Sequence, residues 1–197
     1  QLSRGQGSNE RRPSQGSSMT EEAAAPEVLP RWLPLESNPD LLNSFLARMG
    51  VSGGQFYDVF GLDPELLAMV PLPCVALCLL FPSAKISKER RAEYKDKLVD
   101  SPETKGLFYL HQLPQFGNAC GTIACVHSIA NVSSLTLDEN SPLRHFVDRT
   151  RGKTADEIGL ALASEAPIHE ASEESASSEH AQTETPDRDE AVDGHFI

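Results

Sequence analysis

Apolar residues recur with a helical period in several parts of the chain. The clearest case runs from Asn38, a helix-start residue followed by proline, to Gly50, a helix stop, with its apolar side chains on one face. The same signals predict a one- or two-turn helix opening at Asp63 and longer helices over 118–131, 141–149 and 154–163. A charged helix is predicted over 85–99.

A continuous apolar run, "PCVALCLLFP" (73–82), is bracketed by prolines. Its length and composition favour a strand buried on both faces. Cys74 and Cys78 lie four residues apart, hence on the same face of that strand, and core packing accounts for both. A second strand is predicted over "GLFYLHQ" (106–112), leading into the helix at 118–131.

Two polar stretches differ from the rest of the chain. The polar composition of residues 1–28 predicts a disordered tail, which leaves residues 29–197 as the folded domain. Residues 165–193 carry ten acidic side chains against one base, Arg188, so most of the formal net charge of −12 lies there. Because this segment has little to bury, it is predicted to lack regular structure.

Composition and cysteine spacing exclude several classes of function. No basic patch with interleaved aromatic residues is present, so nucleic-acid binding is not predicted. The apolar runs are too short to cross a bilayer, and the first residues lack the apolar core of a secretory signal. The four cysteines form no C-x-x-C pair, so we expect free thiols, no metal and no cofactor.

These features predict a cytoplasmic protein, with the nucleus as a second location. The Arg- and Ser-rich start leaves an organelle transit peptide as a lesser alternative, and Met19 as an alternative first residue.

Cys120 opens the predicted helix in "NACGTIACVHSIAN" (118–131). The first turn of a helix has unpaired N–H groups and the positive end of the helix dipole, and both favour a thiolate. Asn118 is the expected N-cap, and Gly121 is expected to leave room beside the sulfur for a substrate carbonyl. Cys120 is therefore a candidate nucleophile, although on local pattern alone a structural cysteine is the commoner case.

A nucleophilic cysteine needs a base, which the same helix does not supply. His127 follows seven residues later, which places it about 10 Å further along the helix and beyond hydrogen-bonding distance. It is interpreted as a core or supporting residue. Cys125 lies mid-helix, where the amides are already paired, and is interpreted as a core residue. The remaining histidines outside the chain's end are interpreted as surface or loop positions: His111, His145, His169 and His180.

Several stretches together resemble the ubiquitin C-terminal hydrolases, a family of papain-like cysteine deubiquitinases. "QFGNACGTIACVHSIAN" is similar to the active-site helix of that family, and its Asn-Ala-Cys-Gly-Thr core is specific. "RWLPLESNPDLLNSFL" resembles the family's opening segment, and "QFYDVFGLDPELLAMVPLPCVALCLLFP" resembles the next helix and central strand. "IHEASEES" and "DEAVDGHFI" resemble an acidic stretch and the approach to the catalytic histidine.

The resemblance implies an α/β fold, a papain-like sandwich of an antiparallel sheet flanked by helices. It implies a monomeric thiol hydrolase that removes small adducts or short tails from the C-terminal glycine of ubiquitin. Cys120 matches the nucleophile, and His195, 75 residues later, matches the general base and acid. The acidic segment 165–193 matches the active-site crossover loop, which limits leaving-group size. Asp58 matches a residue that meets basic side chains of ubiquitin, although a plain surface aspartate is an equal interpretation.

The chain departs from the family pattern at two points. The oxyanion glutamine of the family lies six residues before the cysteine, where this chain has Pro114. Gln112 fits that role if two residues are inserted, and Gln115 is the alternative. The orienting Asp of the family follows the histidine by about fifteen residues, whereas this sequence stops at Ile197. The resemblance then predicts a weak enzyme with an incomplete sheet, in which Phe196, Ile197 and part of the 73–82 strand lack partners. The alternative interpretation is a fragment that binds ubiquitin without turnover.

Overall fold

The computed structural model describes residues 29–82, 106–190 and 192–197. The predicted tail over 1–28 and the predicted charged helix over 85–99 lie outside the described residues. Helices in the described part are α1 (Pro39–Arg48), α2 (Pro64–Leu67), α3 (Cys120–Ala130), α4 (Pro142–Thr150), α5 (Ala155–Leu162) and α6 (Ala166–Ala176). Strands there are β1 (Val51–Ser52), β2 (Leu80–Pro82), β3 (Thr136–Leu137) and β4 (Gly194–Phe196). Not one of these helices has the length and apolar character needed to span a membrane.

Helix α1 begins and ends where the sequence predicts. The Asn38 side chain caps it by accepting a hydrogen bond from the Asp40 backbone N–H at 3.0 Å. Gly50 follows the helix with φ of +70°, a conformation that suits glycine and stops the helix. The apolar face of α1 packs on α6 and consists of Leu41, Leu42, Phe45 and Leu46. The predictions of α2, α4 and α5 are confirmed as well.

Helix α3 lies at the centre of the core and is buried on nearly all sides, as its uniformly apolar sequence requires. Trp32 and Phe116 belong to the same core cluster and pack edge to face, with ring centroids 6.0 Å apart. The start of the helix corrects one prediction. The N-cap is the buried Ala119, and Asn118 does not cap the helix. Its side-chain amide instead donates to the Glu190 carbonyl at 3.0 Å.

The described strands form two antiparallel pairs, β1 with β3 and β2 with β4. The α/β class predicted from the sequence is therefore confirmed. The prediction of a strand over 73–82 buried on both faces is wrong, because only β2 is a strand and all the preceding side chains except the half-buried Cys78 are exposed. In the described part of the chain, β4 is the one strand that pairs with β2. Core packing of Cys74 is wrong for the same reason, since Cys74 is exposed.

The prediction of a strand over 106–112 is also wrong. The segment is extended and forms no β ladder; the His111 N–H donates to the Ala155 carbonyl of α5 at 3.0 Å, and side chains of α3 and of its C-cap residue bind Phe108 and Leu110. The Asn131 side chain accepts from the Phe108 N–H at 2.7 Å and donates to the Phe108 carbonyl at 2.9 Å. The His127 Nε2 accepts from the Leu110 N–H at 3.1 Å. Side-chain partners thus satisfy the backbone that a neighbouring strand would otherwise satisfy.

Helix α6 overturns the prediction that residues 165–193 lack regular structure. Its buried side is made mostly of small side chains, which let it approach α1 and α3 closely. Ser172 lies in that face, and its hydroxyl is hydrogen-bonded to the buried Thr122 hydroxyl of α3 at 2.6 Å. His169, predicted to be a surface residue, is only 7% exposed and packs edge-on against the Trp32 ring. Small polar residues can therefore form a core face, which hydrophobicity alone does not reveal.

Strand β4 corrects the expectation that Phe196 would lack partners. The strand pairs with β2 in the register Leu80 to Phe196 and Phe81 to His195. Phe196 is buried, and its ring lies against Gly121 at the start of α3. Backbone hydrogen bonds to β2 and the contact of Phe196 with the start of α3 thus hold this strand in place.

Candidate active site

Cys120 is the first residue of α3 and is partly exposed. At this position the backbone N–H groups of the first turn have no intrahelical acceptor, and the positive end of the helix dipole faces the thiol. The predicted role of Gly121 needs correction. A Cβ there would lie 3.0 Å from the Leu35 Cβ and 3.3 Å from the Phe196 ring, so protein atoms occupy that side. Glycine at 121 lets β4 approach the helix start.

A cavity of about 200 Å³ adjoins Cys120. Its walls are mainly apolar, and three segments of the described chain supply most of them. One wall follows the 34–37 segment, and a second is formed by Gly194 and Phe196 of β4. The third is the stretch 177–190, here called the strap, which contributes Ala181, Thr183, Thr185 and Pro186. The cleft therefore has Cys120 and residues of the strap among those that line it.

His195, the predicted base, is the middle residue of β4. The residues on either side of it in sequence line the cavity with Cys120, so the structure brings this strand to the thiol. The imidazole packs edge-on against Phe81, with ring centroids 5.9 Å apart. The assignment of His195 as general base stays a prediction.

The two candidate oxyanion glutamines lie on the approach to α3. The Gln112 side chain donates to the Gly117 carbonyl at 2.8 Å, which links it to the loop three residues before Cys120. Gln115 lies in the 3-10 turn Pro114–Phe116 and is exposed. Both remain candidates for oxyanion stabilisation. Asp58, the predicted ubiquitin contact, is exposed in the extended segment between β1 and α2, and that role also stays a prediction.

The other cysteines occupy environments unlike that of Cys120. Cys125 is buried in α3, and burial raises the pKa of its thiol, which makes it a core residue as predicted. Burial also raises the pKa of the half-buried Cys78, opposed by a hydrogen bond with Ser128. Cys74 is exposed and away from helix starts, and its thiol hydrogen-bonds the Ala76 carbonyl at 3.4 Å. Within the chain, Cys120 alone combines access with a helix N-terminus.

His127 has the supporting role that the sequence analysis assigned to it. Its ring stacks on Tyr109 with centroids 4.8 Å apart, and Nε2 accepts the Leu110 N–H. Burial disfavours the charged ring and therefore lowers the pKa of His127. The side chain holds the 106–112 segment against α3.

A family model described as "Ubiquitin carboxyl-terminal hydrolase, family 1" matches residues 32–197. The chain belongs to the ubiquitin carboxyl-terminal hydrolase family. A relative with that name in Aplysia californica is 39% identical over 170 residues, covering 85% of this chain and 75% of the relative. A probable ubiquitin carboxyl-terminal hydrolase of Dictyostelium discoideum is 34% identical over 175 residues, covering 87% of this chain and 67% of that protein.

Solved structures agree on the fold. The UCH37 catalytic domain of Trichinella spiralis, solved bound to ubiquitin vinyl methyl ester, superposes with a TM-score of 0.62 at 21% identity. The match covers 86% of this chain and 69% of that one. The papain-like fold predicted from the sequence is consistent with this likeness, and the membership in a cysteine-type hydrolase family is confirmed.

The residues that hold the strap of this hydrolase were not evident from the sequence. Arg188 is the only base in the acidic segment 165–193, which was a visible signal. Its partner Glu173 was one acid among ten, and its pairing depends on α6, which was not predicted. Asn118 was singled out for the wrong contact, since it binds the strap rather than the helix.

Proposed function

We propose that this chain hydrolyses the bond after the C-terminal glycine of ubiquitin and releases small adducts or short peptide tails. The observation that carries the proposal is the placement of Cys120 at the first residue of a buried helix, where it lines a mainly apolar cavity. The family match over residues 32–197 supports the same reaction, and it favours a hydrolase over a ubiquitin-binding fragment without turnover.

The reaction follows from the chemistry of the site. The Cys120 thiolate attacks the carbonyl carbon of the ubiquitin glycine, and the carbonyl π electrons move to oxygen. The Cys120 backbone N–H and the side-chain amide of Gln112 or Gln115 stabilise that oxyanion. His195 takes the thiol proton and gives it to the departing amine, which leaves a thioester on Cys120. Water, deprotonated by His195, then attacks the thioester and restores the thiol.

The shape and the lining of the cleft fit the extended end of a peptide chain. Its walls are mainly apolar and its volume is about 200 Å³, so a narrow chain terminus enters more readily than a folded surface. The exposed Asp58 is proposed to meet a basic side chain of ubiquitin. We further propose that the protein acts as a monomer in the cytoplasm or nucleus, in keeping with its four unpaired cysteines.

Active-site labelling tests the proposal. Ubiquitin vinyl methyl ester should modify the chain once, at Cys120, because its electrophile occupies the position of the scissile carbonyl. Cys120→Ala should abolish the adduct, as detected by intact mass and peptide mapping. The matched control is Cys74→Ala, since Cys74 is an exposed thiol away from helix starts, and this change should leave labelling intact. An adduct that survives Cys120→Ala would refute the assignment.

A further inference from the structure

Three dipeptides of the chain place serine or threonine directly before proline, at Ser101, Ser141 and Thr185. Proline-directed protein kinases select this pattern, because proline has no N–H that would need a partner in the binding groove of the kinase. The cyclin-dependent class of these kinases also favours a base three residues after the hydroxyl residue. Arg144 and Arg188 stand at that position for Ser141 and Thr185, whereas Ser101 has no such base. The full pattern therefore occurs twice, at Ser141 and at Thr185.

The structure gives the Ser141 dipeptide a purely structural role. The Ser141 hydroxyl caps α4 by accepting the Arg144 N–H at 3.2 Å, and Pro142 is the first residue of that helix. Ser141 is only 4% exposed. A kinase therefore does not reach this hydroxyl while α4 is folded.

Thr185 lies in the irregular middle of the strap, where no helix follows the proline. The residue is half-buried, and Glu184 and Asp187 on either side of the dipeptide are exposed. A residue before proline favours an extended backbone, which is the form in which kinases bind their substrate segments. The Thr185 hydroxyl donates to the Ala176 carbonyl at 3.1 Å, a neutral hydrogen bond of modest strength. Thr185 is therefore the dipeptide that a kinase can reach.

The contact of Thr185 with α6 does not tolerate a phosphate. Ala176 is the last residue of α6, so its carbonyl lies at the negative end of the helix dipole. A phosphorylated oxygen has no hydrogen to donate, and the phosphate adds a charge of about −1.5 to −2. The neighbouring Glu184 and Asp187 carry charge of the same sign. Phosphorylation thus replaces an attraction by several repulsions.

The nearest Arg or Lys along the sequence does not offset this repulsion without loosening the strap. Arg188 already donates to the Arg31 carbonyl at 2.7 Å and pairs with the Glu173 carboxylate of α6. A phosphate that drew Arg188 away would break both contacts, and both attach the strap to the rest of the fold. Either response therefore releases the strap.

We propose that Thr185 is a phosphorylation site for a proline-directed protein kinase and that the phosphate releases the strap from the end of α6. In the transfer, Thr185 Oγ1 attacks the γ-phosphorus of ATP, the bond from that phosphorus to the β–γ bridging oxygen breaks, and ADP leaves. The hydroxyl proton passes to the catalytic aspartate of the kinase. Thr185 and Ala176 both line the cavity beside Cys120, so the modification reaches the wall of the candidate active site. Neither the modification nor the release depends on hydrolase activity.

Phosphate mapping tests the site. The full chain is incubated with ATP and a purified cyclin-dependent kinase, and peptide mass spectrometry measures the phosphate on each residue. Thr185 should carry the modification, and Ser141 should stay unmodified in the folded chain. Pro186→Ala should slow modification of Thr185 by roughly tenfold, because alanine brings an N–H that lacks a partner in the kinase. Absence of phosphate from Thr185 in the original chain would overturn the proposal.

Matched variants control for the position of the hydroxyl. Thr183 is exposed and lines the same cavity, but glutamate follows it, so Thr183→Ala should leave the rate at Thr185 unchanged. Thr185→Ser keeps a hydroxyl before the proline and should still be modified. Every sample carries Ser101→Ala, which removes the third dipeptide from the measurement. If Thr183→Ala slowed modification as much as Pro186→Ala does, the kinase would not be reading the Thr–Pro pair and the assignment would fail.

Amide hydrogen exchange tests the release. In the unmodified chain the Gln182 N–H donates to Glu36 at 2.9 Å, and the Ala181 N–H donates to the Ser178 carbonyl at 3.1 Å. Phosphorylation should speed exchange of these two strap amides by roughly tenfold, because a lost contact and added repulsion favour local opening. The amides of α1 should keep their rates. Removal of the phosphate by a phosphatase should restore the original exchange.

Thr185→Val separates the lost hydrogen bond from the added charge. This variant removes the hydroxyl but adds no phosphate, so exchange of the strap amides should rise by less than it does after phosphorylation. Equal exchange in the two would refute the repulsion from which the release is inferred. Unchanged or slower exchange after phosphorylation would mean that the phosphate finds partners on the protein, and the release would be refuted.

Discussion

The helical core and the apolar segment 57–82 have comparably hydrophobic sequences but differ in how far their side chains are buried. In the core, α1, α3, α4 and α6 bury their apolar faces almost completely. In the segment, large apolar side chains are exposed, with Leu77 72% exposed. A helix satisfies its backbone internally and needs only a face of contact, whereas a strand needs neighbouring strands for both backbone and side chains. Hydrophobic residues therefore predict burial more reliably in a helix, which satisfies its own backbone hydrogen bonds, than in a strand, which depends on neighbouring strands.

The largest expected effect contrasts one side chain from each region. Phe45 of α1 is fully buried, so Phe45→Ala should lower the free energy of unfolding by about 3–5 kcal/mol, from lost transfer energy plus a cavity. Leu77→Ala in the apolar segment should change it by no more than about 0.5 kcal/mol. Urea unfolding of the two variants checks this. A large loss for Leu77→Ala would show that the segment is buried in solution and would remove the contrast.

The same contrast explains which parts of the fold the sequence predicted. Helix α1 was predictable because Asn38 and Gly50 are local signals that act through neighbouring backbone atoms. The strand over 73–82 failed because its burial depends on distant partners. Helix α6 was missed because its buried face uses Ser172, Ser175 and alanines, and their burial depends on hydroxyl partners such as Thr122 on another helix.

The residues of the candidate site likewise fall into those that the sequence predicted and those that it did not. Cys120 was predictable because a helix start is a local property, and the residue types around it are specific. The strap contacts were not predictable, since Arg188 meets a residue on α6 and Arg31 from the far end of the sequence. Side-chain partners separated by this many residues leave no periodic signal.

A middle-sized effect is expected where the core meets the strand that pairs with the apolar segment. Gly→Ala inside a helix ordinarily stabilises by about 0.5–1 kcal/mol. At Gly121 the new methyl group would press on the Leu35 Cβ and the Phe196 ring. Overpacking of this kind costs about 1–3 kcal/mol, so Gly121→Ala should destabilise by about 1 kcal/mol net. Thermal unfolding measures this loss of stability. A stabilised variant would mean that β4 can shift away from α3 at little cost.

The smallest effect is a pH dependence that belongs to the helical core. Burial lowers the pKa of both His127 and His169 below 6.5, the ordinary value, and for His169 the nearby charge of Glu173 opposes this shift. Above that pH both rings are neutral in the folded and unfolded chains, so they contribute no difference. As the pH falls below 6.5, the unfolded chain binds protons that the folded chain refuses, and stability is lost.

Urea unfolding between pH 8 and about pH 5 tests this, because ordinary carboxylates titrate only near pH 4. Stability should fall as the pH drops through this window, and His127→Gln, which keeps an acceptor for the Leu110 N–H, should remove part of the fall while leaving the value above pH 7.5 close to the original. Hydrogen exchange then locates the effect. The rings of His127 and His169 contact Tyr109 and Trp32, so added exchange at low pH should begin around those two residues. If exchange increased in the apolar segment alone, the pH response would belong to that segment and the assignment to the core histidines would be wrong.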